Sequence, residues 1–166
     1  LEFRRVLFRS VGASITLRRH FPVALLKRIE QAVVAQEARH VGELRFAAEG
    51  GLEFDRVLGR QDARDRAIEL FGKLGVWDTE HNSGVLIYVL LADRAVEIVA
   101  DRGILARVPQ PQWEAICRGM ERAFASGDFA GGALEGIRQV GLLLGTHFPA
   151  GTGDNPNELP DAPVVL

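Results

Sequence analysis

The sequence predicts an α/β fold: a small mixed sheet containing an antiparallel hairpin, flanked by helices on both faces. Three observations carry this. Val85-Leu-Ile-Tyr-Val-Leu90 is nearly uniformly apolar, as in a central strand covered on both sides. Only a short linker around Ala92-Asp93-Arg94 separates it from the second strand-like run, Ala95–Val99, too few residues for a helical crossover, so the two strands must pair antiparallel. Helical periodicities stand before and after this hairpin, which a layered α/β domain requires.

Each element has its own local cause. Pro22 suits the first turn of a helix, where its missing N–H has no intrahelical partner to lose. Leu25, Leu26, Ile29, Val33 and Gln36 mark one face of that helix, which runs to about Arg39 and is broken at Gly42. Glu43 to Ala48 reads as a short strand, with Leu44 and Phe46 on one side and Glu43 and Arg45 on the other. After the Gly50-Gly51 loop, Asp62 can cap a helix from Ala63, with Asp65 in its positive first turn. Ala67, Ile68 and Phe71 form its expected buried stripe, Gly72 and Gly75 end it, and Trp77 packs at that end. Asn82-Ser83-Gly84 is a turn signal before the central strand. Trp113, Ile116, Cys117, Met120 and Phe124 space a further helix that begins near Pro111 and closes at Gly127. Phe129 to Leu144 is the last helix; its glycines are costly unless the helix packs closely against another layer.

The chain of 166 residues divides into a disordered or expression-derived segment at 1–20, one domain at 21–149 and a loose Gly/Pro/Asp/Asn-rich tail at 150–166. A competing reading makes the start an amphipathic membrane-surface anchor. An apolar fraction of 47% supplies a full core. A formal charge of −2 argues against general nucleic-acid binding, which needs a concentrated positive surface; the basic start with Arg4, Arg5, Arg9, Arg18 and Arg19 is the local exception. Cys117 is the single cysteine, so an intramolecular disulfide and a cysteine metal cluster are excluded, and it reads as a buried core thiol. No apolar run approaches the ~20 residues of a membrane-spanning helix. A cytoplasmic location is the expectation, and oligomeric state is left open.

The candidate site gathers acids at the ends of the two hairpin strands. Asp78 and Asp101 lead, with Glu80 and Asn82 beside them. Their oxygens suit a hard cation such as Ca2+ or Mg2+, completed by backbone oxygens or water. The structural alternative is that Asp78 caps the Trp77 turn and Asp101 orders the Arg102-Gly103 turn. His40 and Glu43 flank a helix-to-strand turn and support acid–base or zinc chemistry only with a third group; otherwise they lock the turn. Arg66 and Arg102 suit phosphate or carboxylate, or simply pair with nearby acids. No nucleophile elbow or hydrolase triad is present, so a phosphatase would rely on a metal-held water or an acid. Trp77, Trp113 and Phe148 are either core anchors or an interaction surface.

Several pieces, in order and spacing, resemble the TPM domain in a short bacterial subgroup. They are Glu37-Ala-Arg-His-Val-Gly-Glu43, Gly75-Val-Trp-Asp-Thr-Glu-His-Asn-Ser-Gly-Val85, Glu97-Ile-Val-Ala-Asp-Arg-Gly-Ile104, Trp113 with Met120, Phe129, and His147-Phe-Pro149. Gly84-Val85 matches the glycine-valine opening of that family's central strand, and Gly103 its later glycine turn. The resemblance implies an α/β/α fold over about residues 21–149. It links the chain to acid phosphatase activity in a plant member, calcium binding in some members, and modulatory or assembly roles elsewhere. The resulting expectation is a protein-interaction or regulatory module modulated by a divalent cation. The alternative is a divalent-metal-dependent phosphatase using Asp78 and Asp101.

Overall fold

The computed structural model describes residues 15–52, 61–152 and 155–166. Its elements in order are α1 (Val23–Glu37), β1 (Glu43–Glu49), α2 (Ala63–Lys73), β2 (Gly84–Leu90), β3 (Ala95–Ala100), α3 (Arg102–Leu105), α4 (Gln110–Ala125), α5 (Phe129–His147) and β4 (Val164–Val165). The strands form one sheet in the order β3-β2-β1-β4. β2 and β3 pair antiparallel, Ile87 opposite Ile98, as the short linker requires. β1 runs parallel to both β2 and β4.

The sheet divides two apolar layers. Phe46, Val85, Ile87, Val89, Val96 and Ile98 face α1, α4 and α5, where they meet Ile29, Val33, Trp113, Met120, Ile137 and Val140. Ala47, Leu86, Tyr88, Leu90 and Val99 face the other way, onto Ala63, Ala67 and Leu70 of α2 and onto Leu159. Burial of each large side chain stabilises the fold by about 1.5–3 kcal/mol. The whole of β2 is buried, which is the reason it lacks polar alternation. Gly136 of α5 lies against the Met120 side chain and Gly132 against Phe124, so the small residues bring α5 close to α4.

Four expectations are revised. Residues 15–20, within the segment read as disordered or expression-derived, are helical and bury Leu17; residues 1–14 lie outside the described residues. Ile68 is 52% exposed, and Leu70 takes its place in the stripe because Arg66 turns inward beside Ala67. Trp77 is exposed, held at the helix end by its Nε1–H donating to Gly72 O at 3.3 Å. The stretch 150–166, read as a loose tail, returns to the sheet over its described residues: Leu159 is buried, and Ala47 and Ala48 pair with Val164 and Val165. Among the described residues no helix is long and apolar enough to cross a membrane.

Candidate functional site

One end of the sheet collects most of the candidate residues. β1 begins at Glu43 opposite Gly84, the first residue of β2, and β3 ends one step before Asp101. Backbone hydrogen bonds tie these points together: Glu43 N–H donates to Ser83 O at 3.1 Å, and Asp101 N–H to Gly84 O at 2.9 Å. Ser83 braces the loop, its N–H donating to Thr79 Oγ1 at 2.9 Å and its hydroxyl to Val41 O at 3.2 Å. A Cβ on Gly84 would strike the Val76 carbonyl, and one on Gly103 would stand 2.6 Å from Asn82 O. The two glycines therefore allow the 76–83 loop to lie against β2 and α3.

Asp101 is the N-cap of α3, its Oδ1 accepting from Arg102 N–H at 2.6 Å. Its other oxygen, Oδ2, is buried and has no hydrogen-bond partner. Asn82 adopts φ 49°, a conformation asparagine tolerates, and its Oδ1 accepts from Arg102 Nε at 3.3 Å. Asn82, Asp101 and Arg102 are thus brought together. Asp78 is exposed in the preceding turn, with its N–H donating to Gly75 O at 3.0 Å. No hydrogen bond joins it to Asp101 among the described residues. Glu80 is exposed, and its N–H donates to the Glu158 carboxylate at 2.9 Å.

Glu43 is 1% exposed and does not reach Arg66; its Oε2 accepts from Leu159 N–H at 3.1 Å. Burial raises its pKa above the ordinary carboxylate range. His40 is fully buried, and burial lowers its pKa, favouring the neutral ring, against an opposing backbone hydrogen bond with Gly42. No hydrogen bond links it to Glu43; its carbonyl accepts from Asn155 Nδ2 at 3.1 Å.

Arg66 lies elsewhere, against the far end of β1. Its Nε and Nη2 donate to the two oxygens of Glu49 at 2.9 and 3.0 Å, and the Tyr88 hydroxyl donates to Glu49 Oε2 at 2.6 Å. The side chain also stands 3.2 Å from Glu69. The pairing with Glu49 holds the Arg66 pKa up, and burial raises that of Tyr88. A guanidinium already bound bidentately is committed to structure rather than to an external anion.

Arg45 and Glu37 were not among the candidate site residues read from the sequence. Arg45 Nη1 donates to Pro160 O and, at 3.2 Å, to Ala162 O. Glu37 Oε1 accepts from Leu44 N–H at 2.7 Å. Burial pushes the Glu37 pKa up to about 9, and a hydrogen bond with Asp161 acts in the same direction. A signal for Arg45 and Glu49 was present: charges on a strand beside a doubly covered strand must themselves find buried partners. Among the described residues, no group of three or more His, Cys, Asp or Glu side chains is arranged to hold a metal ion.

The TPM domain family model matches residues 22–142. The NMR structure of the BA42 protein from the psychrophilic bacterium Bizionia argentinensis superposes with a TM-score of 0.73 at 30% identity, over 86% of this chain and 92% of that one. The N-terminal domain of a P. gingivalis protein, also solved by NMR, superposes with a TM-score of 0.63 at 21% identity, over 79% and 82% of the two chains, and supports the fold. No curated protein matches the chain. By its sequence match over most of its length, the chain belongs to the TPM domain family.

Proposed function

We propose that this chain is an interaction or regulatory module whose polar sheet end engages polypeptide and is modulated by a divalent cation. The observation that carries the reading is the direction of its buried charged groups: Glu43 and Arg45 both address the main chain of residues 159–162. Charged side chains aimed at backbone N–H and C=O groups recognise an extended segment largely independently of its side chains. Asp101 Oδ2, buried and unpartnered, supplies an oxygen suited to Ca2+ or Mg2+. Backbone or water oxygens would complete the shell.

The same Asp101 oxygen favours the second reading, a divalent-metal-dependent phosphatase. There Asp78 and Asp101 would hold the ion, Arg102 would face the phosphate, and the bound metal would supply an activated water. A phosphate-release screen with Mg2+, Ca2+ or Mn2+, run on the wild type and D78N/D101N, tests the choice. The interaction reading expects equal background rates for the two proteins. Robust wild-type turnover lost in the variant would overturn it.

A further inference from the structure

We propose that residues 155–166 are a displaceable occupant of a peptide groove on the β1 edge, and that the groove takes in trans an extended peptide bearing a Leu-Pro pair followed by a second proline. The inference rests on the interaction reading above and names its partner class and its regulation. The segment is held in four ways. Leu159 is its single buried apolar anchor, set among Ala47, Ala63, Leu70 and Leu86. Its main chain is read by Glu43, which accepts from Leu159 N–H at 3.1 Å, and by Arg45, which donates to Pro160 O and Ala162 O. Its edge pairing is only two residues long, Ala47 with Val164 and Ala48 with Val165, extended by Leu166 N–H donating to Ala48 O at 3.0 Å. Two polar hooks complete it: Asn155 Nδ2 to His40 O at 3.1 Å, and Glu158 Oε2 accepting from Glu80 N–H at 2.9 Å.

These contacts have the form of peptide recognition at a sheet edge: backbone groups paired along a strand, with one pocket for a side chain. Pro160 and Pro163 have no N–H to leave unpaired, and the Pro160 carbonyl is met by Arg45. Asp161 is held within the segment, its Oδ2 accepting from Asn157 Nδ2 at 2.9 Å. Most other described residues of the segment are exposed or half-buried, which leaves Leu159 as the side chain whose loss should release it. Occupancy reaches the candidate site directly, because Glu158 holds the backbone of Glu80 within the 79–83 loop. Exchanging the segment for a partner lacking that carboxylate would free this loop.

The test uses the full chain and a fluorescein-labelled peptide with the sequence of residues 155–166, read by anisotropy. In wild type the tethered segment competes at a high effective concentration, so binding in trans is weak. Leu159→Ala weakens the tethered copy only, and the labelled peptide is expected to bind that protein at least 10-fold more tightly than wild type. Adding Arg45→Met should reduce this binding at least 10-fold, and a labelled peptide with alanine at the Leu159 position should bind neither protein. The double variant Asn155→Ala/Glu158→Gln loosens the hooks without touching a buried side chain and should shift binding in the same direction. Amide exchange of residues 159–166 reports release in each variant. Released segments without saturable peptide binding would overturn the proposal, as would unchanged slow exchange in both variants. A concentration-dependent dimer that excludes the peptide would assign the groove to a second copy and overturn it too. Failed peptide binding with no phosphate turnover removes the groove alone, whereas phosphate turnover lost in D78N/D101N removes the interaction reading itself.

Discussion

Arg66→Met is expected to be among the most destabilising single changes at any candidate position. The Arg66 and Glu49 side chains are 9% and 6% exposed and paired through two hydrogen bonds, at 2.9 and 3.0 Å. Methionine keeps much of the stem volume and removes the charge. Glu49 then stays buried against the sheet with the Tyr88 hydroxyl as its remaining donor. Breaking one partner of such a pair costs about 3–5 kcal/mol, mostly because the other charge stays uncompensated. At ~2–4 °C per kcal/mol for a domain of this size, the melting temperature should fall by roughly 6–20 °C. The triple variant E49L/R66M/Y88F removes the three buried polar members at once and leaves Glu69 paired with Lys73 and Gln61, so it should recover most of that loss, since apolar replacement of a whole buried network is often neutral or better. Thermal unfolding followed by far-UV circular dichroism reads both proteins. An R66M protein melting within ~3 °C of wild type, or a triple variant no more stable than R66M, would refute the reasoning.

Other outcomes follow from single groups. Folding retains a proton on Glu37 to about pH 9, whereas the ordinary carboxyl releases it near 4.5, so stability should fall as pH rises between those values. Glu37→Gln keeps an acceptor for Leu44 N–H without a titrating proton, so it should match wild type near pH 4.5 and melt higher than wild type near pH 9; parallel pH profiles would contradict this. His40 has the opposite sign: its folded pKa lies below the ordinary 6.5, so the stability it contributes is present above that value and is lost as pH falls through the folded pKa. His40→Phe keeps the ring in its buried place and should flatten the acid limb of the same melting profile; an unchanged limb would contradict it. Gly84→Ala drives a methyl into the Val76 carbonyl and should cost about 1–3 kcal/mol by urea unfolding, whereas Gly72→Ala, with open space at its Cβ, should be neutral or stabilising.

The parts legible in the sequence were those set by local pattern. Val85–Leu90 announced a central strand through composition, and the short linker after it forced the hairpin. Asp62 caps the helix that follows it, as its position suggested, and Asp101 accepts from Arg102 N–H at the turn one of its two readings named, a turn that proves to open a short helix. What stayed hidden depends on partners far along the chain. Glu43 and Leu159 are 116 positions apart, and Glu49 meets Arg66 only after two elements have packed on one face of the sheet. A two-residue strand such as Val164–Val165 has too few positions to show a period, so its pairing with β1 was invisible and residues 150–166 read as loose. For Arg66 both an anion ligand and an ion-pair partner stayed open, because sequence spacing shows only its neighbours in α2 and not the carboxylate across the layer.

The central claim is that the sheet end and the segment at 155–166 form one recognition surface modulated by a divalent cation. The most direct measurement is a backbone amide NMR titration of the full chain with Ca2+ and with Mg2+. The account predicts saturable shifts clustered at residues 78–84 and 101–103, spreading to Glu158 and Leu159 through the Glu80–Glu158 hydrogen bond and lost in D78N/D101N. Absence of saturable shifts at millimolar metal, or saturable shifts confined to other surfaces and unchanged in D78N/D101N, would contradict it.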